Sequence, residues 1–182
     1  MPGVKLIRTQ PGPDQTVSLR WSVFDRSEGS ALKRRCLLYF TGQKRMARNI
    51  LQNVVNGYLA RDPLVLQTVR DLKASAVETK EALDAQDIDG FARGIARYWE
   101  LKKQIDPGST NAPIEKLLAS VADETQAALL PGAGGGGFIF MVAKNAAAAE
   151  RIRRAFSDNP PNPFARFFDF DVDQHGLKVT VL

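Results

Sequence analysis

The segment 130–138 decides how the second half of the chain is organised, and it reads Leu130-Pro131-Gly132-Ala133-Gly134-Gly135-Gly136-Gly137-Phe138. Five glycines in six positions leave the backbone free to adopt positive φ and to lie against a ligand without interference from Cβ atoms. Successive amides in such a segment form a concave binding site for anions. Composition alone leaves two interpretations open, a ligand-binding loop and a linker or tight structural turn.

The spacing of Gly132, Gly134 and Gly137 also fits the G-x-G-x-x-G pattern of dinucleotide-binding loops. That pattern binds a pyrophosphate only when a helix begins directly after the glycines, because the helix N-terminus completes the site. Here Phe138–Ala143 follows, and it is apolar on both alternating faces, which predicts a central strand covered on two sides. No Lys-Ser/Thr pair follows the glycines, so the pattern is not a Walker phosphate loop either.

The first part of the chain is predicted to be made of strands. Residues 17–23 alternate apolar and polar side chains, which is typical of a strand with one buried face. Residues 4–8 are predicted to belong to the same sheet. The apolar run Cys36–Phe40 predicts a further strand, after which the periodicity changes from strand to helix at Thr41-Gly42.

Helical periodicity occupies most of the chain between residues 43 and 121. Three helices are predicted to pack together. The first should stop near Asp62-Pro63, because proline disfavours a helical residue before it, and the third should end at Asp106-Pro107. A short fourth helix is expected to begin after the capping cluster Ser109-Thr110-Asn111.

The region after the glycine segment predicts a ferredoxin-like β-α-β-β layer. The strand Phe138–Ala143 precedes a helix capped by Asn145, and two more strands are expected near residues 167–172 and 177–182. Residues 173–176 are expected to form the hairpin turn between them. The predicted fold class is therefore α+β, with a helical segment followed by this layer.

A second candidate site begins where the strand Cys36–Phe40 ends. Thr41 is a candidate N-cap, and Arg45 and Arg48 lie three residues apart, on one face of the expected helix. A helix N-terminus with two arginines binds a phosphate or hydrogen-bonds a sugar hydroxyl. The alternative interpretation of Thr41, Gly42 and Arg45 is a capped helix with solvated arginines.

Composition narrows the classes of function. With Cys36 as the only cysteine and His175 as the only histidine, the sequence has neither a disulfide framework nor a Cys/His metal cluster. The net charge of +5, from 25 basic and 20 acidic residues, suits an anionic ligand, and the alternative interpretation is a solvated helix surface on which both signs are interspersed. The longest apolar stretch is far shorter than a membrane span, and no signal peptide is recognised, so a cytoplasmic location is expected.

The sequence resembles the C-terminal part of GHMP-type sugar kinases and, within that family, the fucokinases. The resemblance covers nearly the whole chain and rests on Leu38–Gly42 with Arg45, Ala47 and Arg48, on Tyr98–Lys102, and on residues 130–138 running into Met141–Lys144. It implies that residues 1–34 are the end of the N-terminal kinase domain or linker strands. It also implies a C-terminal domain at residues 35–182, with a loop next to the nucleotide and substrate at Gly132, Ala133, Gly134, Gly135, Gly136 and Gly137.

The resemblance implies an enzyme that transfers the γ-phosphoryl group of ATP, with Mg²⁺, to the anomeric hydroxyl of L-fucose. The phosphate loop and the catalytic aspartate of the family do not occur in these 182 residues. We therefore expect ATP and Mg²⁺ to be bound mainly by a missing N-terminal kinase half, and this chain to contain no catalytic residue or metal ligand. By itself the chain is expected to be inactive, because positioning and charge stabilisation carry phosphoryl transfer.

Three alternatives remain open. The sugar could be of the heptose or galactose type, because the residues that select it are not visible in the sequence. A free-standing, non-catalytic binding or regulatory domain would keep the fold without the catalytic half. An RNA-binding ferredoxin-like module would explain phenylalanines on strands, but the RNP1 pattern is absent. We therefore predict no nucleic-acid partner. The short apolar stretches likewise predict no membrane partner.

Overall fold

A computed structural model of the chain describes residues 3–10, 12–22, 27, 29–43, 50–132, 134–173 and 175–176. Its elements follow one another as β1 (Lys5–Thr9), β2 (Val17–Trp21), α1 (Ala31–Arg35), β3 (Cys36–Phe40), α2 (Ile50–Leu59), α3 (Pro63–Asp84), α4 (Ile88–Ile105), a 3₁₀ turn (Pro107–Ser109), α5 (Ala112–Ala119), β4 (Thr125–Leu129), β5 (Phe138–Ala143), α6 (Ala146–Asp158) and β6 (Arg166–Phe168).

The main sheet has four antiparallel strands in the order β4-β5-β3-β6. Counted from β3, the chain follows the β-α-β-β-α-β arrangement of ferredoxin-like folds, so the predicted α+β class and the ferredoxin-like layer are confirmed. Strand β5 is central and covered on both faces, as its apolar pattern predicts. Ile139 and Met141 pack towards Ile152 and Phe156 of α6, while Val142 packs towards Leu83 at the end of α3.

The helix boundaries predicted from Asp62-Pro63 onwards are confirmed because side chains cap them. Asp62 accepts hydrogen bonds from the amides of the first turn of α3 and is followed by proline at the first helical position. Asn111 and Asn145 cap α5 and α6 in the same way, and α4 ends at Asp106. Helices α3 and α4 approach closely at Gly94, where a Cβ atom would lie 2.1 Å from Thr79 Oγ1.

The N-terminal hairpin, strands β1 and β2, forms a separate antiparallel sheet. The two strands are predicted correctly within the described residues, but the predicted buried face is wrong. Val17 is 56% exposed and Trp21 is 51% exposed, so these two side chains of the predicted buried face lie largely in water. The hairpin contacts α3 through β1, and Val4 packs against the core.

Strand β6 is shorter than the sequence predicts. It pairs with β3 only from Arg166 to Phe168, and the carbonyl of Phe170 accepts a hydrogen bond from the Lys33 ammonium instead of a strand amide. Asp173 accepts hydrogen bonds from the amides of His175 and Gly176, while the expected hairpin at 173–176 stays a prediction, because Gln174 and the strand that would follow lie outside the described residues. The predicted strand at 177–182 lies outside the described residues. Within the described ranges, no helix combines the length and apolarity that a membrane crossing requires.

Candidate functional site

Residues 130–137, the glycine loop, join β4 to β5 and use the conformational freedom that the sequence predicts. Gly134 has a φ of 84°, and a Cβ atom there would lie 2.3 Å from the carbonyl oxygen of Ser109. Gly132 and Gly137 also have positive φ, 74° and 83°, but an added Cβ atom would meet nothing within 4 Å. The loop therefore packs tightly on one side and leaves its backbone approachable on another. Ala133 lies outside the described residues.

Lys102 of α4 holds the start of the glycine loop. Its Nζ donates hydrogen bonds to the carbonyl oxygens of Leu130, at 2.7 Å, and Gly132, at 2.6 Å. Lys102 is only 8% exposed, and its ammonium lies 5.5 Å from the centre of the Trp99 ring. Burial lowers the pKa of Lys102, and the charge of Asp106 partly opposes that shift.

The turn between α4 and α5 holds the middle of the loop. The carbonyl oxygen of Ser109 accepts a hydrogen bond from the Gly135 amide at 2.6 Å, and Asn111 Nδ2 donates to the Gly135 carbonyl at 2.8 Å. Asp106 fixes this turn, because its carboxylate accepts a hydrogen bond from the Gly108 amide. The buried hydroxyl of Thr110 beside these groups has no hydrogen-bond partner among the residues that the structure describes.

The end of strand β3 holds the end of the loop. The amide and the hydroxyl of Thr41 both donate to the carbonyl oxygen of Gly137, each at 2.9 Å, and the Gly137 amide donates to the Gln43 carbonyl at 2.8 Å. Asn162 in turn donates to the Thr41 carbonyl at 2.7 Å. The structure thus brings together the two segments that the sequence singled out separately.

The predicted role of Thr41 as a helix N-cap is wrong. Gly42 follows it with a φ of 73°, outside the right-handed helical region, and a Cβ atom on Gly42 would collide with Asn162. The Thr41 hydroxyl ties the strand end to the glycine loop instead. Arg45 and Arg48 lie outside the described residues, so their predicted part in the site stays a prediction.

Several residues that anchor the glycine loop are not predicted by the sequence analysis. Lys102 stands in one of the segments on which the family resemblance rests, but nothing in that segment shows that its ammonium turns towards the glycine loop. Ser109 and Asn111 are visible in the sequence only as helix-capping residues. Asn162 gives no sequence signal, because it reaches Thr41 through the fold alone.

Cys36 and His175, the other titratable residues considered as functional candidates, lie outside the glycine-loop site. Burial raises the pKa of the Cys36 thiol to about 12, so the cysteine is protonated and unreactive, as predicted for a core residue. His175 is exposed in its turn. Across the described part of the chain, no three His, Cys, Asp or Glu side chains come together in a group that could hold a metal ion.

Residues 79–162, which contain the glycine loop and Lys102, match the protein family described as GHMP kinases C terminal. The fold agrees: L. major mevalonate kinase superposes with a TM-score of 0.69 at 18% identity, over 91% of this chain and 48% of that one. Residues 79–162 therefore match the C-terminal domain of GHMP kinases in sequence, and the fold of the chain agrees with that match.

Along nearly its whole length, the chain is similar to fucokinases. It is 35% identical to the L-fucokinase/L-fucose-1-P guanylyltransferase of Bacteroides fragilis over 178 residues, which are 98% of this chain and 19% of that protein. It is 31% identical to the bifunctional fucokinase/GDP-fucose pyrophosphorylase of Arabidopsis thaliana over 180 residues, 99% of this chain and 16% of that protein. The chain thus spans less than a fifth of these relatives.

Proposed function

We propose that this chain is the C-terminal portion of an ATP-dependent sugar kinase and that its glycine loop borders the bound nucleotide and sugar. The observation that carries the proposal is the geometry of the loop. Its backbone is anchored to α4, to the turn before α5 and to β3, and it leaves open space at Gly132 and Gly137. An anchored backbone that a ligand can approach suits the positioning on which phosphoryl transfer depends.

We further propose L-fucose as the acceptor, because both relatives carry fucokinase in their names. The anomeric oxygen of the sugar forms the new bond to the γ-phosphorus, the bond to the bridging oxygen breaks, and ADP leaves. The hydroxyl proton would pass to a base of the N-terminal kinase half. Mg²⁺, which neutralises the developing charge, would be held by the missing N-terminal half.

The exposed apolar side chains of the N-terminal hairpin and of α2 support a missing partner domain. Val17, Trp21, Tyr58 and Leu59 are each more than half exposed, and burial of these apolar side chains against a further domain would be favourable. We propose that residues 1–34 complete an N-terminal kinase domain that covers these side chains.

The cysteine supports a cytoplasmic location. Cys36 is buried and unpaired, which suits the reducing environment of the cytoplasm.

The test compares this chain with the product of the complete reading frame that encodes it. Coupled ADP release is measured with ATP, Mg²⁺ and L-fucose, heptose or galactose. We expect turnover of L-fucose by the complete protein and none by the 182-residue chain. Turnover by the short chain would contradict the partial-domain proposal, and preference for another sugar would contradict the choice of L-fucose. A complete frame without kinase activity would favour a free-standing regulatory domain.

The glycine loop is tested in the complete protein with Gly137→Ala. The substitution places a Cβ atom in the open space at a φ of 83°, without meeting any neighbouring atom within 4 Å. Gly12→Ala, which also has a positive φ, 126°, and also meets nothing within 4 Å, is the matched control. We expect at least a tenfold lower kcat/KM for the loop variant and an unchanged value for the control. Equal kcat/KM values for the two variants would contradict the proposal that the glycine loop borders the bound substrates.

A further inference from the structure

The proline segment, residues 159–165, joins α6 to β6 and lies against the end of strand β3. Three of its residues are prolines, Pro160, Pro161 and Pro163. Proline fixes its own φ near about −65° and restricts the residue before it, so this short connection has few conformations open to it. The segment is therefore a stiff support for any side chain that it presents to β3.

Asn162 begins a tight turn within the proline segment. The Ala165 amide donates to the Asn162 carbonyl at 3.2 Å, and the Phe164 amide donates to Asn162 Oδ1 at 3.0 Å. Asparagine followed by proline is typical of such a turn, although this pattern does not show which group the rest of the side chain contacts. In the structure, Asn162 Nδ2 donates to the Thr41 carbonyl at 2.7 Å. Both ends of the side-chain amide are thus engaged, which fixes its orientation.

The backbone that Asn162 contacts is the same backbone that holds the end of the glycine loop. Gly42 packs directly against the Asn162 amide, because a Cβ atom on Gly42 would collide with it. The Gln43 carbonyl accepts a hydrogen bond from the Gly137 amide at 2.8 Å, and the Thr41 amide donates to the Gly137 carbonyl at 2.9 Å. Residues 41–43 therefore stand between Asn162 on one side and both polar backbone groups of Gly137 on the other.

We propose that Asn162 is a positioning residue for the reaction of the complete protein, and that it acts through residues 41–43 to hold Gly137 in place beside the substrates. This inference rests on the function proposed above for the glycine loop. Asn162 itself touches no substrate in this role. A small displacement of the loop end changes the geometry of the reacting groups more than it changes substrate binding, so loss of Asn162 should lower kcat rather than raise KM.

Two substitutions separate the two hydrogen bonds of the Asn162 side chain. Asn162→Asp keeps an oxygen that accepts from the Phe164 amide but has no donor for the Thr41 carbonyl, whereas Asn162→Ala loses both. Asn159→Asp and Asn159→Ala are the matched controls, because Asn159 belongs to the same segment and is exposed. In the complete protein, with ATP, Mg²⁺ and L-fucose, we expect kcat per folded molecule to fall at least tenfold in both Asn162 variants.

The same assay distinguishes positioning from a merely structural role. The KM for each substrate should stay within about twofold in the Asn162 variants, and the Asn159 variants should keep both kcat and KM. A merely structural role would reduce the folded fraction and leave kcat per folded molecule unchanged. An unchanged kcat in Asn162→Asp would mean that the bond to Thr41 is not needed and would overturn the proposal.

Amide hydrogen exchange in the 182-residue chain tests the link without any turnover. We expect exchange at the Gly137 amide to accelerate about tenfold in both Asn162 variants and to stay unchanged in the Asn159 variants. Equal exchange in all four variants would overturn the proposal. Absence of turnover in the unmodified complete protein would instead contradict the proposed kinase function, and the exchange rates would still decide whether Asn162 holds the loop.

Discussion

The glycine loop and the N-terminal hairpin differ in how the chain holds them. The loop is irregular in sequence and rich in glycine, yet hydrogen bonds from three separate elements fix its backbone. The hairpin has a regular strand pattern, yet Ile7, Val17 and Trp21 are exposed. Order in this protein therefore follows from the partners that surround a segment rather than from the regularity of the segment itself. The following changes test that difference.

The largest effect is expected from Gly134→Ala in the glycine loop. The new Cβ atom would lie 2.3 Å from the backbone of Ser109, at a φ of 84° that L-residues avoid. Because a backbone neighbour cannot rotate away, we expect a loss of about 3 kcal/mol in the free energy of unfolding, measured by urea denaturation. Gly29→Ala is the control and should stay within about 0.5 kcal/mol. A loss as small as that of the control would mean that the loop is not tightly packed.

Lys102→Met removes the donor that holds the start of the loop. The carbonyl oxygens of Leu130 and Gly132 would lose this buried partner, which we expect to cost about 2 kcal/mol in unfolding free energy. Amide exchange in the loop should accelerate at least tenfold. Lys103→Met is the matched control, because the adjacent ammonium forms a partly exposed ion pair with Glu100 and no hydrogen bond to the loop is recorded for it among the described residues. Unchanged exchange in Lys102→Met would contradict the anchoring role.

Thr41→Val tests the link between β3 and the loop with a smaller change. The hydroxyl bond to Gly137 is lost, but the Thr41 amide still donates to the same carbonyl, so we expect a loss of about 1 kcal/mol. Thr125→Val removes a similar hydroxyl bond, to Val121, far from the loop. Both variants should lose similar stability, but only Thr41→Val should accelerate amide exchange at Gly137. Equal exchange in the two variants would argue against the link.

The comparison also shows what the sequence could predict. Helix ends were predictable because their signals, such as Asp62-Pro63 and Asn145, act on the nearest turn. Strand β5 was predictable because both of its faces find apolar partners in this chain. The exposure of the hairpin was not predictable. Alternating apolar residues indicate that one face of a strand favours burial, but they do not show whether another part of the chain packs on that face. The anchors Lys102 and Asn162 depend on contacts between distant segments, which no local pattern encodes.

The pH dependence of stability should separate Lys102 from its methionine variant. Burial lowers the pKa of Lys102 in the folded chain below its ordinary value of 10.5. Between these two pKa values the unfolded chain binds more protons than the folded chain, so stability rises with pH in that interval. The stability of the unmodified chain relative to Lys102→Met should therefore increase as pH approaches 10.5 from below. Urea denaturation of both proteins across this range measures it, and a constant difference would contradict the assigned shift.

The smallest effect is expected in the hairpin. Val17→Ser should change the unfolding free energy of this chain by no more than about 0.5 kcal/mol, because the side chain is 56% exposed and gains little from folding. In the complete protein the same substitution should cost at least about 1 kcal/mol, if the proposed N-terminal kinase domain buries this face. Denaturant unfolding of both proteins measures the two values. A small effect in both would leave the hairpin exposed in the whole protein and remove the main structural support for a covering domain.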